Sequence, residues 1–223
     1  MIDIARRFWA DMYPSKGEWA ADGLVHGLGL LAALVAGLLL FVWALVSNGV
    51  GQATAVAVYA LGVLAMLGCS AIYNLTPWQR IRPLLRRLDH SAIMILIAAS
   101  YTPFTTQRLE GWWAVSMTAV VWALATAGVF GRIFLPEIRG RWWSLFYVGF
   151  GWVAIVAFRP FSEGVSLAAM ILLAVGGLIY TAGVPIYHSR WPFRRAVWHG
   201  FVVAAAAVHW AAVLVGVVLA PAS

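Results

Sequence analysis

From residue 22 onward the chain alternates long apolar runs with short polar loops. Seven runs are long enough to cross a bilayer core of about 30 Å, which takes roughly 20 helical residues. They cover about 22–47, 51–75, 88–107, 112–134, 142–159, 164–187 and 197–220. The fifth is the shortest and weakest, and the third starts on Asp89 and His90. Short linkers make sequential helices antiparallel neighbours and leave no room for a separate soluble domain. The pattern predicts an all-α membrane protein, a seven-transmembrane-helix bundle forming one domain over 22–220. An interfacial segment at 1–21 precedes it, mixing charge with apolar side chains and lacking the continuous apolar core of a cleavable signal peptide.

Composition agrees with this reading: 63% of the 223 residues are apolar and 10% charged, and the mean hydropathy is +0.88. Thirteen Trp and seven Tyr suit aromatic belts at the headgroup level. The single Cys69 forms no intrachain disulfide. The net charge of +7 raises the question of nucleic acid, but the basic residues occupy loops between apolar runs, where topology explains them. Thirteen of the fifteen Lys and Arg fall on one side of the membrane, with only Arg108 and Arg159 on the other. The positive-inside rule then puts the N-terminus in the cytoplasm and the C-terminus outside, in a plasma (inner) membrane.

This topology turns sequence position into depth. Asp22 and His26, Ser70 and Asn74, Asp89 and His90, His188, and Arg195 and His199 all fall within a few turns of the cytoplasmic surface. Of the five histidines only His209 lies deeper. Polar side chains inside a span are expensive and mark function by default. Ser70 and Asn74, like Arg195 and His199, are spaced i, i+4, so each pair shares one helix face.

Several segments resemble the haemolysin III family, the bacterial branch of the progestin and adipoQ receptor group that includes adiponectin receptors. "GEWAADGLVHGLG" is similar to the family's opening Glu and His-Gly pattern, and "SAIYN" to its Ser-x-x-x-His on the second helix. "RRLDHSAIMILIAASYTPF" resembles its Leu-Asp-His to Tyr-Thr-Pro-Phe segment, the most specific of these; "GGLIYTAG" and "RAVWHGFVVAAAAVH" resemble its sixth and seventh helices. The resemblance implies a seven-helix bundle with zinc near the cytoplasmic ends, held by one His of the second helix and two of the seventh. It also implies a role in membrane lipid or fluidity homeostasis, through hydrolysis of an acyl amide such as a ceramide-like lipid. Asp89 would be the base and Ser70 an oxyanion-side donor, the candidate catalytic pair.

Two of the three implied ligand positions depart from that pattern, being Asn74 and Arg195, so His199 alone remains as a metal candidate. Asn is a poor zinc ligand and a guanidinium offers no lone pair. No cofactor is therefore expected, and zinc is not carried over. The expectation is a polar cluster of His26, Ser70, Asn74, Asp89, His188, Arg195 and His199, in which Arg195 pairs with Asp89 in place of the metal or snorkels to lipid phosphate. The alternative is a zinc-dependent amide hydrolase with a relocated site, using His199 with His26, His188 or Asp22. His90 is expected to face elsewhere, His209 to make an interhelical hydrogen bond, and Tyr101-Thr102-Pro103 to kink the third helix, with the Thr hydroxyl meeting freed carbonyls. A retinal protein is excluded because the sole lysine is Lys16. A transporter would show interrupted helices and midplane charges, and the spans carry no midplane charge. A toxin-like pore would need polar lining along whole helices. Membrane lipids are the expected partners.

Overall fold

The structure, a computed structural model, describes residues 12–77, 79–135 and 140–220. Most of the 1–21 segment, with Arg6 and Arg7, lies outside the described residues, as does Arg139. Among the described residues there are helices and no strands. Helix α1 spans Lys16–Asn48, α2 Val50–Leu75, α3 Arg82–Gln107 and α4 Gly111–Phe134. The fifth segment is α5 (Gly140–Gly151), a 3₁₀ stretch (Val153–Ala157) and α6 (Phe158–Gly164). Helix α7 is Leu167–His188, and α8 is Arg194–Val213, which runs on as a π turn over Leu214–Val218.

Local chemistry sets these limits. Ser15 caps α1 by accepting the Glu18 amide at 3.2 Å. Gly49 alone separates α1 from α2, at φ +80°, a backbone conformation that disfavours a side chain. Helices α1 and α3 begin six residues before their predicted spans, because polar turns continue each helix past its apolar core. Among the described residues, six segments are long and apolar enough to cross a membrane: α1, α2, α4, Gly140–Gly164, α7 and Arg194–Val218. Helix α3 falls outside that set because it carries charge at its start and hydroxyls along its length. Those hydroxyls turn inward: Thr102 accepts the Trp122 indole N–H at 3.2 Å, and Thr105 accepts the Thr118 hydroxyl at 2.8 Å. The α1 face with Leu28, Leu31, Leu38 and Leu39 is exposed, as a lipid-facing surface would be.

Interhelical hydrogen bonds replace the hydrophobic drive that lipid lacks. Trp210 of α8 donates to the Ala36 carbonyl at 2.9 Å, and Tyr59 of α2 to the Ala206 carbonyl at 3.2 Å. His209 meets the Leu173 carbonyl at 3.2 Å, the interhelical bond expected of it, with its ring against Gly176, where a Cβ would collide. The π turn ends α8 with free carbonyls, which side chains from three elements cap. Arg108 donates to Gly216 and Val217 at 2.8 and 3.1 Å, Gln52 to Val217 at 2.9 Å, and Asn48 to Val218 at 3.0 Å.

One expectation is corrected. The fifth span is interrupted, not one helix. At its break Tyr101 supplies both missing partners: its hydroxyl donates to the Gly151 carbonyl at 2.7 Å and accepts the Ala154 amide at 3.0 Å. Helix α3 continues through Pro103, and the Thr102 hydroxyl bonds the Ala98 carbonyl one turn back at 2.9 Å.

Tyr101→Phe should therefore destabilise the bundle by about 1–3 kcal/mol, read as a lower unfolding midpoint in detergent and faster hydrogen exchange at the Ala154 amide. An unchanged midpoint and exchange rate would show that the break needs no partner.

Candidate functional site

The site lies where the start of α1, the end of α2, the starts of α3 and α8 and the end of α7 meet. Asp22 is fully buried there. Its Oδ1 accepts from His199 Nδ1 at 2.6 Å and its Oδ2 from the Tyr13 hydroxyl at 2.5 Å. Tyr13 lies before α1, and burial, then its bond to Asp22, holds its phenol well above the usual range.

These partners fix the imidazoles. A carboxylate only accepts, so His199 carries its proton on Nδ1 and turns the Nε2 lone pair toward Ser70 Oγ, 3.4 Å away. His26 Nδ1 donates to the Asp22 carbonyl at 2.9 Å, which aims its Nε2 at the same hydroxyl, at 3.3 Å. The two rings meet edge to face with centroids 4.2 Å apart. Ser70 has one proton for three acceptors, the two imidazole nitrogens and the Asp89 carboxylate, and it in turn accepts from Asn74 Nδ2 at 3.2 Å. Asn74 is oriented by Arg195, whose Nη1 donates to Asn74 Oδ1 at 2.9 Å. Arg195 also bonds the Met12 carbonyl at 3.1 Å and lies over the Tyr13 ring.

Beside this cluster a cavity of about 510 Å³ runs between α2, α3, the fifth segment, α7 and α8. Ser70, Asn74, Asp89, Arg132, Arg195 and His199 line its polar end; Leu96, Ile97, Trp152, Tyr180 and Val202 line the rest. Along α8 it reaches from Arg195 to His209, about 21 Å at 1.5 Å per residue.

Hydrogen bonds link His26, Ser70, Asn74, Arg195 and His199 in one chain of contacts. The proposed Arg195–Asp89 pair is corrected: among the described residues, Asp89 has His90 as its ion-pair partner, at 3.8 Å, and Arg195 goes to Asn74. His188 shares the cavity but not the cluster, bonding Ser144 at 2.9 Å. His90 lines the cavity instead of facing away, with Nδ1 on the Arg86 carbonyl at 2.6 Å. Tyr13 was missed because a lone Tyr in a polar leader carries no pattern. The sequence reading placed Asp22 in the polar layer and among the alternative ligands but not in the cluster, although Asp22 and His26 repeat the i, i+4 spacing that marked the other pairs.

The residues do not fit the zinc site that the family pattern implies, since two of its three positions hold an amide and a guanidinium bonded to each other. Asp22, His26 and His199 are the one metal-capable group among the described residues, with donor atoms within 4.8 Å of one another. Its closest pair is the 2.6 Å His199–Asp22 contact, shorter than the about 3.3 Å between two donors on one tetrahedral zinc with ligands at 2.0–2.1 Å. That contact is a hydrogen bond, and it leaves two nitrogen lone pairs, fewer than the three protein ligands of a catalytic zinc.

Comparison with known proteins agrees with this architecture. The Haemolysin-III related family matches residues 20–210. The chain is 29% identical to a hemolysin-3 homolog of Bacillus subtilis, over 91% of this chain and 95% of the relative. It is 30% identical to hemolysin-3 of Bacillus cereus, over 88% and 90%. It is also 29% identical to the human monocyte to macrophage differentiation factor, over 90% and 84%. A multi-pass helical bundle matched over nearly its whole length in this way belongs to the haemolysin III family.

Proposed function

We propose that the chain is a seven-span plasma (inner) membrane protein of lipid or fluidity homeostasis that takes one acyl chain into the cavity beside Ser70 and His199. The cavity carries this reading: one end is polar and the remainder apolar, the profile of a lipid with its headgroup at the membrane surface. Its volume of about 510 Å³ falls within the usual 300–1,000 Å³ of small-ligand sites. Helix α3 supplies the seventh span, since its 26 residues reach about 39 Å and its hydroxyls are bonded within the bundle. The one-sided distribution of Lys and Arg supports a cytoplasmic N-terminus and places the cluster at the inner surface. Nucleic acid has no part in it.

A second reading, a zinc-dependent amide hydrolase with a relocated site, draws support from the convergence of Asp22, His26 and His199. The short Asp22–His199 contact favours a metal-free cluster.

Ile97→Trp, at mid-cavity, should weaken binding of a fluorescent fatty acid to the purified protein at least about tenfold, or about 1.4 kcal/mol. Equal binding by wild type and variant would remove the cavity from the function. Elemental analysis of the purified protein should find zinc far below one equivalent. A near-stoichiometric content, lost in His26→Ala and His199→Ala, would establish the second reading instead.

A further inference from the structure

Ser70, His199 and Asp22 stand in the order nucleophile, base, carboxylate. Ser70 Oγ is 3.4 Å from His199 Nε2, and His199 Nδ1 is 2.6 Å from Asp22 Oδ1. The first contact is at the long end, as such contacts are before a substrate tightens them. Of the two imidazoles near Ser70, only His199 lines the cavity. Its far nitrogen is hydrogen-bonded to a carboxylate that would stabilise an imidazolium, whereas that of His26 bonds a backbone carbonyl, with Asp22 Oδ1 farther away at 3.7 Å. Asn74 Nδ2, 3.2 Å from Ser70 Oγ, is an amide donor beside the point of attack, where negative charge would develop. Arg195 occupies Asn74 Oδ1 and so keeps the NH₂ facing Ser70. The two substitutions that remove the zinc site thus provide an oxyanion donor and the group that orients it.

The polar end also carries a cation, Arg132, which lies over the Trp143 ring at 5.0 Å and within the electrostatic reach of Asp89. Arg132 is 9% exposed, its Nε has no hydrogen-bond partner among the described residues, and it lines the cavity. Buried donors are otherwise nearly always paired, so this one points to an anionic group on the ligand.

We propose that Ser70, His199 and Asp22 form a metal-independent nucleophilic triad that hydrolyses single-chain acyl esters with an anionic headgroup. Ser70 Oγ bonds to the acyl carbonyl carbon, its proton passes to His199 Nε2, and the carbonyl oxygen takes the negative charge facing Asn74. Collapse breaks the ester C–O bond, and His199 returns that proton to the departing alkoxide, leaving the acyl group on Ser70. Water, deprotonated by the same nitrogen, cleaves the acyl–Ser70 ester; the fatty acid leaves and Ser70 Oγ regains its proton. No redox change occurs. Ser70, His199 and Asn74 are the catalytic residues; Asp22 and Arg195 are positioning residues. This inference rests on the lipid-binding reading of the cavity.

The test uses full-length protein in nanodiscs, a fluorophosphonate probe and lysophosphatidylglycerol. Wild type should incorporate the probe on the Ser70 peptide, with or without EDTA, and release fatty acid. Ser70→Ala, which barely disturbs volume, should abolish labelling and lower turnover at least about 10³-fold while still binding fluorescent fatty acid. Asn74→Ala should lose about 10²–10³-fold in kcat, Asp22→Asn should lose kcat with KM unchanged, and Arg132→Gln should mainly raise KM. Lipid binding without labelling or hydrolysis in wild type overturns the triad and leaves the cavity reading standing. Failure to bind lipid overturns both. Hydrolysis that EDTA abolishes, or that Ser70→Ala retains, overturns the triad in favour of a metal-held nucleophile.

Discussion

One buried carboxylate organises the end of the bundle where the site lies. An unpaired Asp22 at zero exposure would cost several kcal/mol, yet both of its oxygens accept short hydrogen bonds, from Tyr13 and from His199. That pairing ties the segment before α1 to the bundle, joins α1 to α8 and sets the tautomer of His199. The tautomer in turn aims a lone pair at Ser70. Without the carboxylate, His199 would have no reason to present that nitrogen, and the polar end of the cavity would lose its directed base.

The same requirement, that polar groups in lipid find partners inside the protein, explains the irregular parts of the fold. The fifth segment breaks where Tyr101 serves as both donor and acceptor for the freed backbone. The last helix can widen into a π turn because Asn48, Gln52 and Arg108 cap its carbonyls. In both places the compensating side chain comes from a different helix, so irregularity in one segment depends on the packing of another. A span that carries such breaks is consequently less autonomous than its apolar composition suggests.

That dependence also marks the limit of what the sequence discloses. Helices α2, α4 and α7 were legible within a few residues, since apolar runs closed by polar loops record their own ends. The break at Trp152 was not, because its signal is Tyr101, some fifty residues away. Asn74, Ser70, Arg195 and His199 could be grouped because i, i+4 spacing is a local record of a shared face. The partner of Arg195 was misassigned: depth in the membrane placed Asp89 at the right level, but level does not say which helix face meets which. Tyr13 illustrates the remaining difficulty, since nothing in its neighbourhood announces that a carboxylate nine residues on will need a proton donor.

Asn74 and Arg195 are easier to understand as one change than as two. An amide at position 74 alone would bury an oxygen with no donor, and a guanidinium at 195 alone would bring a charge into the bundle with only the carbonyl and sulfur of Met12 as acceptors; together each satisfies the other. The consequence for His199 is chemical. In a site built of three imidazoles on zinc, each ligating lone pair is bound to the metal and unable to take a proton. Here the Nε2 lone pair of His199 faces a hydroxyl, and Asp22 stands ready behind Nδ1 to hold the positive charge if that proton is taken. An imidazole whose outer lone pair is free of coordination and whose inner nitrogen is backed by a carboxylate has the properties of a general base.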